Sequence, residues 1–329
     1  MTAQQRIYSR IAGTGSALPK RMVSNDELAR QVDTSDEWIA TRTGIRQRYV
    51  AGEGETTVSL ARDAAIKAMQ AANVGVDDID MVVLGTTTPN LIFPSSACLL
   101  QAELGIDNGC PAFDVNAACS GFIYAMSVAD KFIRTGDAKT VLVVGSETLT
   151  RMVDWSDRST CVLFGDGAGA AVLKADAQTG ILSTHLHADG RKKELLWNPV
   201  GVSEGFKPGE DNAGVRVLMT GNDVFKHAVK ALDAVVEETL EANGLDRHDI
   251  DWLIPHQANL RIIEATAKRL DMPMERVVVT VDQHGNTSSG SVPLALDAAV
   301  RSGKVQRGQL LLLEAFGGGF TWGSVLLRY

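Results

Sequence analysis

This chain has no surplus of positive charge. Its 40 acidic side chains outnumber 32 lysines and arginines, leaving a formal net charge of −8. That argues against a nucleic-acid binder, whose footprint is basic. No run of eighteen apolar residues occurs, so no membrane-spanning helix is expected. The opening MTAQQRIYSR is polar and lacks the apolar centre of a secretory signal. Cys98, Cys110, Cys119 and Cys161 are too scattered for a disulfide framework, and none forms a C-x-x-C pair. Neither a disulfide scaffold nor a zinc site is expected. IAGTGSALP fails as a dinucleotide fingerprint because Leu18 stands at the third glycine position. The cytoplasm is the expected compartment, with no metal and no resident cofactor.

What is present is ordinary in bulk and informative in order. Hydrophobic residues make up 45% and charged residues 22%, as in globular proteins generally. A length of 329 residues exceeds a single core and points to two domains or two fused halves. Three echoes favour fused halves. AANVGVDDIDMVVL, from residue 71, and EANGLDRHDIDWLI, from residue 241, each end a helix-like run, cross an acidic turn and enter an apolar strand. FGDGAGAAVL is answered by FGGGFTWGSVLL, and FDVNAACSG more loosely by VTVDQHGNTSSG. The echoes keep the same order in both halves, which is the signature of duplication.

TVSLARDAAIKAMQAA and NDVFKHAVKALDAVVEETLEA carry apolar residues three and four apart, as amphipathic helices do. MVVLG, TVLVVGS, WLIP, RVVVTV and LLLLEAF are short and almost wholly apolar, the pattern of strands buried on both faces. Alternating strands and helices predict a layered α/β architecture of two duplicated halves. The expected divisions are 1–174 for the first half, 175–220 for a connecting segment, and 221–329 for the second half.

In this scheme Cys119 follows a strand and precedes the helix-like SGFIYAMSVADKFI. His256 directly follows WLIP, and Asn286 lies in the turn after RVVVTV, the counterpart of the Cys119 turn. If the halves pack about a pseudo-two-fold axis, the three residues meet. A thiolate is a nucleophile, and a helix N-terminus would lower the thiol pKa. A neutral histidine can exchange a proton or donate a hydrogen bond near neutrality. An asparagine amide can donate to a developing oxyanion, as can bare N–H groups in FGGGF. Cys98, Cys110 and Cys161 read as small buried hydrophobes. His185 and His187 form an H-x-H pair best read as a surface strand, His227 and His248 as solvent-facing, and His284 as shaping a turn.

DVNAACSGF, IPHQANLRI, HGNTSSGSVPLAL and EAFGGGFTWG, with GTGSALP and TSDEWIATRTGIRQR upstream, together resemble the β-ketoacyl-[acyl-carrier-protein] synthase III family. The resemblance covers essentially the whole chain and implies the thiolase-like fold with a layered αβαβα core. It implies that Cys119 takes an acetyl group from acetyl-CoA and passes it to malonyl-[acyl-carrier protein] in a decarboxylative condensation. His256 and Asn286 would hydrogen-bond the malonyl thioester, and the N–H groups of Cys119 and Gly318 would form the oxyanion hole. Coenzyme A would lie along Thr34, Trp38, Arg42, Arg158, Asn222, Phe225, Ala258 and Asn259. The carrier protein would dock on Gln257, Ala258, Asn259, Leu260, Arg261, Lys268 and Arg269. Of these, Arg261, Lys268 and Arg269 fall on one helical face by spacing alone. Phe93 would enter the acyl pocket of a partner subunit, so a homodimer is implied.

Relatives with other chemistry are separable at single positions. An elongating condensing enzyme would carry a second histidine in place of Asn286, and a degradative thiolase a second cysteine in place of Phe316. A starter enzyme of a polyketide or quinolone pathway shares the Cys, His and Asn and differs in its acceptor. A scaffold that has lost its nucleophile would lack Cys119. A papain-like hydrolase would not rest on a duplicated α/β frame.

Overall fold

The computed structural model describes residues 7–203 and 216–329. Strand β1 (Tyr8–Ala17) opens a five-stranded sheet completed by β2 (Met81–Gly85), β3 (Ala112–Val115), β4 (Thr140–Glu147) and β5 (Gly167–Asp176), in the order β1-β5-β4-β2-β3. A four-stranded sheet holds β6 (Ile181–Ala188), β7 (Trp252–Pro255), β8 (Leu310–Gly317) and β9 (Thr321–Arg328), in the order β6-β9-β8-β7. The directions agree as well as the order. In each sheet two neighbouring strands run parallel, β2 with β4 and β7 with β8. In each, the next two pairings are antiparallel. The duplication read from sequence echoes is thus present in the strand topology.

Two helices fill the space between the sheets. They are α3 (Gly121–Thr135) and α7 (Ser291–Arg301), and their apolar faces merge with both sheets in one core containing Phe122, Met126, Val292, Leu296 and Leu313. Outside the first sheet lies α2 (Thr57–Ala72), begun by a reciprocal Thr56–Ser59 cap and ended by Asn73 at φ 52°, a left-handed position that asparagine tolerates. It buries Val58, Leu60, Ala61, Ala64 and Ala68. The second sheet is covered by α5 (Gly221–Asn243) and α6 (Leu260–Arg269), with α1 (Asp36–Thr43) against α6. The layers therefore run αβαβα, as expected.

Three expectations about local structure are revised. First, 181–188, placed in the connecting segment, is an integral edge strand: β6 pairs with β9 from Thr321↔Ala188 to Leu327↔Ile181. Its partner lies some 140 positions away in the chain, so nothing local marks it as sheet. Part of that segment, 204–215, lies outside the described residues. Second, RVVVTV is not a regular strand. It makes a parallel bridge at Leu253↔Val277 and one further bond, Val278 N–H to Leu253 O at 2.9 Å. This occupies the place that β3 holds beside β2, shortened because the chain turns at once into the Val281–His284 helical turn. Third, Cys98 is exposed and Cys110 half-buried; only Cys161, of those three, is core. Cys98 lies on the helix Ser96–Leu104, where the Ser95 cap orients the first turn and leaves its thiol beside the Ala112 carbonyl.

Candidate active site

The turn that carries Cys119 follows β3. The Ala118–Ser120 segment forms a single 3-10 turn, with Ala118 at φ 45°, and α3 begins at Gly121. Cys119 is 8% exposed. The chain crosses it closely: a Cβ on Gly317 would stand 2.6 Å from the Cys119 nitrogen, so only glycine fits there. Ser288 and Gly318 line a cavity together with Cys119.

Burial pushes the pKa of the Cys119 thiol up to about 11. The Ser288 hydroxyl and the backbone N–H groups of Cys119 and Gly318 pull it down, while the charge of buried Glu147 pushes it further up. Desolvation is the largest of these effects, because a largely buried thiolate is poorly hydrated.

His256 follows β7, its N–H bonded to the Glu314 carbonyl at 2.8 Å. Burial lowers its pKa to about 3, so the ring is neutral. Its Nδ1 lies 2.5 Å from the Ser291 hydroxyl. That hydroxyl accepts the N–H of Gln257 at 3.2 Å and has no acceptor other than Nδ1 among the described residues. We therefore assign Ser291 as donor to Nδ1, which puts the ring proton on Nε2 as a donor toward the cavity. Asn286 is oriented by similar logic. Its Oδ1 accepts the Ser288 N–H at 2.9 Å, which leaves its NH2 group free to donate.

Cys119, His256 and Asn286 line one cavity of about 360 Å³. They come from the three turns that the duplication makes equivalent in kind. Trp38, Arg42, Arg158, Asn222, Phe225, Ala258 and Asn259 line the same cavity. At its mouth the guanidinium carbons of Arg42 and Arg158 stand 4.3 and 4.6 Å from the Trp38 ring centroid, a cation–π arrangement. Thr34 is not on these walls; its hydroxyl is buried without a protein partner. A second cavity of about 350 Å³ lies on the other side of Cys119, walled by Leu149, Met152, Leu196, Trp197 and Val217, with Ser288 and Gly318 beside the sulfur.

Arg261, Lys268 and Arg269 are exposed on α6, and Arg261 also lines the mouth, its guanidinium 5.5 Å from the Phe225 ring. Gln257 corrects the expected dock. It is 1% exposed, donates to the carbonyls of Pro255 and Val278, and accepts from the N–H groups of Thr280 and Val281. Its side chain ties β7 to the 278–281 run. Phe93 is 83% exposed, next to Ile92 at 70% and Leu91 at 49%, and lines neither cavity of its own chain.

The remaining histidines are placed as follows. His185 and His187 lie on the edge strand β6 and both bond Glu238 of α5, at 3.1 and 2.6 Å. Among the described residues no group of three or more His, Cys, Asp or Glu side chains is arranged to hold a metal ion. His248 is exposed; His227 is half-buried against Phe320, a correction to its solvent-facing reading. His284 sits edge-on to Tyr49 in the turn before Asn286. Sequence reasoning missed Ser291, Ser288 and Glu147. The first two were visible only as the serines of HGNTSSGS, and the third as a lone acid ending an apolar strand.

Comparison with known proteins bears on this site. The profile of 3-oxoacyl-[acyl-carrier-protein] synthase III matches residues 113–190, and that of its C-terminal part residues 240–329. The curated β-ketoacyl-[acyl-carrier-protein] synthase III of Xanthomonas campestris pv. campestris is 76% identical over 325 residues, 99% of each chain. Among solved structures, 3-oxoacyl-[acyl-carrier-protein] synthase III from Aquifex aeolicus is 49% identical with a TM-score of 0.91, covering 98% of this chain and 100% of that one. The priming β-ketosynthase of the R1128 polyketide pathway is 39% identical with a TM-score of 0.92, covering 100% of this chain and 98% of that one.

Proposed function

Because the chain belongs to the β-ketoacyl-[acyl-carrier-protein] synthase III family and is an acyltransferase-type condensing enzyme of the initiating step of fatty acid synthesis, we propose that its acyl intermediate forms on Cys119. Acetyl-CoA enters past Trp38, and the Cys119 sulfur attacks the thioester carbonyl. The N–H groups of Cys119 and Gly318 receive the oxyanion. Malonyl-[acyl-carrier protein] then takes the vacated cavity. The Nε2–H of His256 and the NH2 of Asn286 hydrogen-bond its thioester oxygen as decarboxylation turns it into an enolate. The enolate carbon attacks the acetyl-cysteine and gives acetoacetyl-[acyl-carrier protein].

One observation carries this reading: a thiol, an N–H donor on a neutral imidazole and an oriented amide NH2 converge on one cavity whose mouth holds an arginine-flanked indole. Adenine stacking on Trp38 requires one of the two arginines to swing off the ring and meet the nucleotide phosphates. The basic face of α6 borders the same mouth, which suits an acidic carrier protein. The exposed Leu91–Phe93 run supports a homodimer that covers it.

The acceptor tests the reading. Purified enzyme given acetyl-CoA and malonyl-[acyl-carrier protein] should form acetoacetyl-[acyl-carrier protein]. Turnover with malonyl-CoA alone, and none with the malonyl carrier protein, would assign it instead to a polyketide or quinolone starter step.

A further inference from the structure

The thiol of Cys119 must lose a proton before it attacks, and the cavity offers that proton no evident acceptor. His256 is neutral, but Ser291 donates into its Nδ1 and its Nε2 carries the other proton. The imidazole therefore presents a donor, not a base. Among the described residues walling the second cavity, Cys119 is the one ionisable side chain. The exit lies behind that wall. The Ser288 hydroxyl shares the cavity wall with Cys119 and donates its one proton to Glu147 Oε1 at 3.2 Å, which leaves its oxygen to accept from the thiol.

Glu147 is wholly buried at the end of β4. It accepts from the Thr87 N–H at 3.1 Å and from the hydroxyls of Thr86 (3.2 Å), Thr87 (3.1 Å), Thr88 (2.6 Å) and Ser289 (3.0 Å) besides Ser288. Such a ring of donors fits a carboxylate, which only accepts. Hydroxyls can also turn and accept, so the ring tolerates a protonated acid. Burial raises the Glu147 pKa, with the Thr88 and Ser289 hydroxyls acting against it, which makes it a stronger base than a surface carboxylate.

We propose that Glu147, acting through the Ser288 hydroxyl, is the proton acceptor and donor for Cys119. The inference rests on the acyl-Cys119 reading above. In loading, the Cys119 proton passes to Ser288 Oγ as the Ser288 proton passes to Glu147. The sulfur electron pair forms the bond to the acetyl carbon, the bond from that carbon to coenzyme A breaks, and coenzyme A leaves as a thiolate protonated by solvent. In condensation, decarboxylation leaves its electron pair on the malonyl α-carbon, which bonds to the acetyl carbon and expels the Cys119 thiolate. Glu147 returns the proton by the same route. One proton from solvent is consumed per turnover, and the acid and the thiol end as they began.

The roles of Glu147 as relay and as a mere charge beside the thiol predict opposite signs. Removing a charge that disfavours the thiolate would speed acyl loading. Removing the relay should slow loading by about 10²-fold at neutral pH. Single-turnover loading of the intact enzyme by acetyl-CoA, followed from pH 6 to 10 in wild type, Glu147→Gln and Ser288→Ala, separates them. The relay predicts that both variants load slowly at neutral pH and recover as pH rises, by about tenfold per unit as the free thiolate grows, while wild type changes little. Loading by Glu147→Gln at the wild-type rate or faster overturns the relay. So does slow loading without recovery at high pH, which would make Glu147 a packing residue. Wild type that never loads acetyl would instead overturn the acyl-Cys119 reading.

Discussion

Two turns of this molecule share a backbone and divide the work. The turn after β3 places Ala118 at φ 45°, makes a 3-10 turn over Ala118–Ser120 and launches α3 from Gly121. The turn after the shortened 277–279 run places Ser288 at φ 50°, makes a 3-10 turn over Ser288–Gly290 and launches α7 from Ser291. The first presents Cys119. Its counterpart has Ser289 in that place, bonded to Gly85 O and Glu147. The second turn supplies the groups around the sulfur: Asn286 to the cavity, Ser288 to the thiol and Ser291 to His256. Duplication gave two identical frames, and one could be given wholly to supporting the chemistry of the other.

Changes on the two turns should break this division unequally. Cys119→Ala should abolish acyl transfer and lower condensation by about 10⁴-fold or more, since nothing else on the frame can hold the acyl group; radiolabel transfer to the carrier protein checks it. His256→Ala on the donor side should lower condensation by about 10²-fold and leave acetyl loading near wild type, as read by stopped-flow of each half-reaction. Ser291→Ala removes only the group that fixes the imidazole tautomer. Condensation should fall by about tenfold, the scale of one hydrogen bond to a polar partner, with KM unchanged. Arg261→Glu lies outside both turns. It should raise KM for malonyl-[acyl-carrier protein] by about tenfold or less, as rim charges do, and spare loading. A pH titration sharpens the same contrast: burial holds His256 near pKa 3, so its ring resonances should not move between pH 5 and 9.

Much of this was legible in the sequence because duplication writes each local rule twice. Asn73 and Gly244 end equivalent helices, and the acidic turns at Val76–Asp78 and Arg247–Asp249 lead into β2 and β7. Cys119, His256 and Asn286 were readable from their places after strands. What was not legible depends on contacts remote in the chain. β6 is a strand only because β9 lies beside it. Gln257 follows His256 and looks available, yet its four bonds to β7 and the 278–281 run bury it. Glu147 reads as an acid ending a strand, and the Ser288 hydroxyl that bonds it lies 141 positions later in the chain.

The central claim is that the nucleophile turn loads and the partner turn condenses. Asn286→Ala enzyme mixed with acetyl-CoA, then with malonyl-[acyl-carrier protein], and followed by intact-protein mass spectrometry tests it most directly. The account predicts an acetyl adduct mapped to Cys119 that forms at the wild-type rate and then persists, discharging about 10²-fold more slowly. Equal loss of loading and discharge would contradict it.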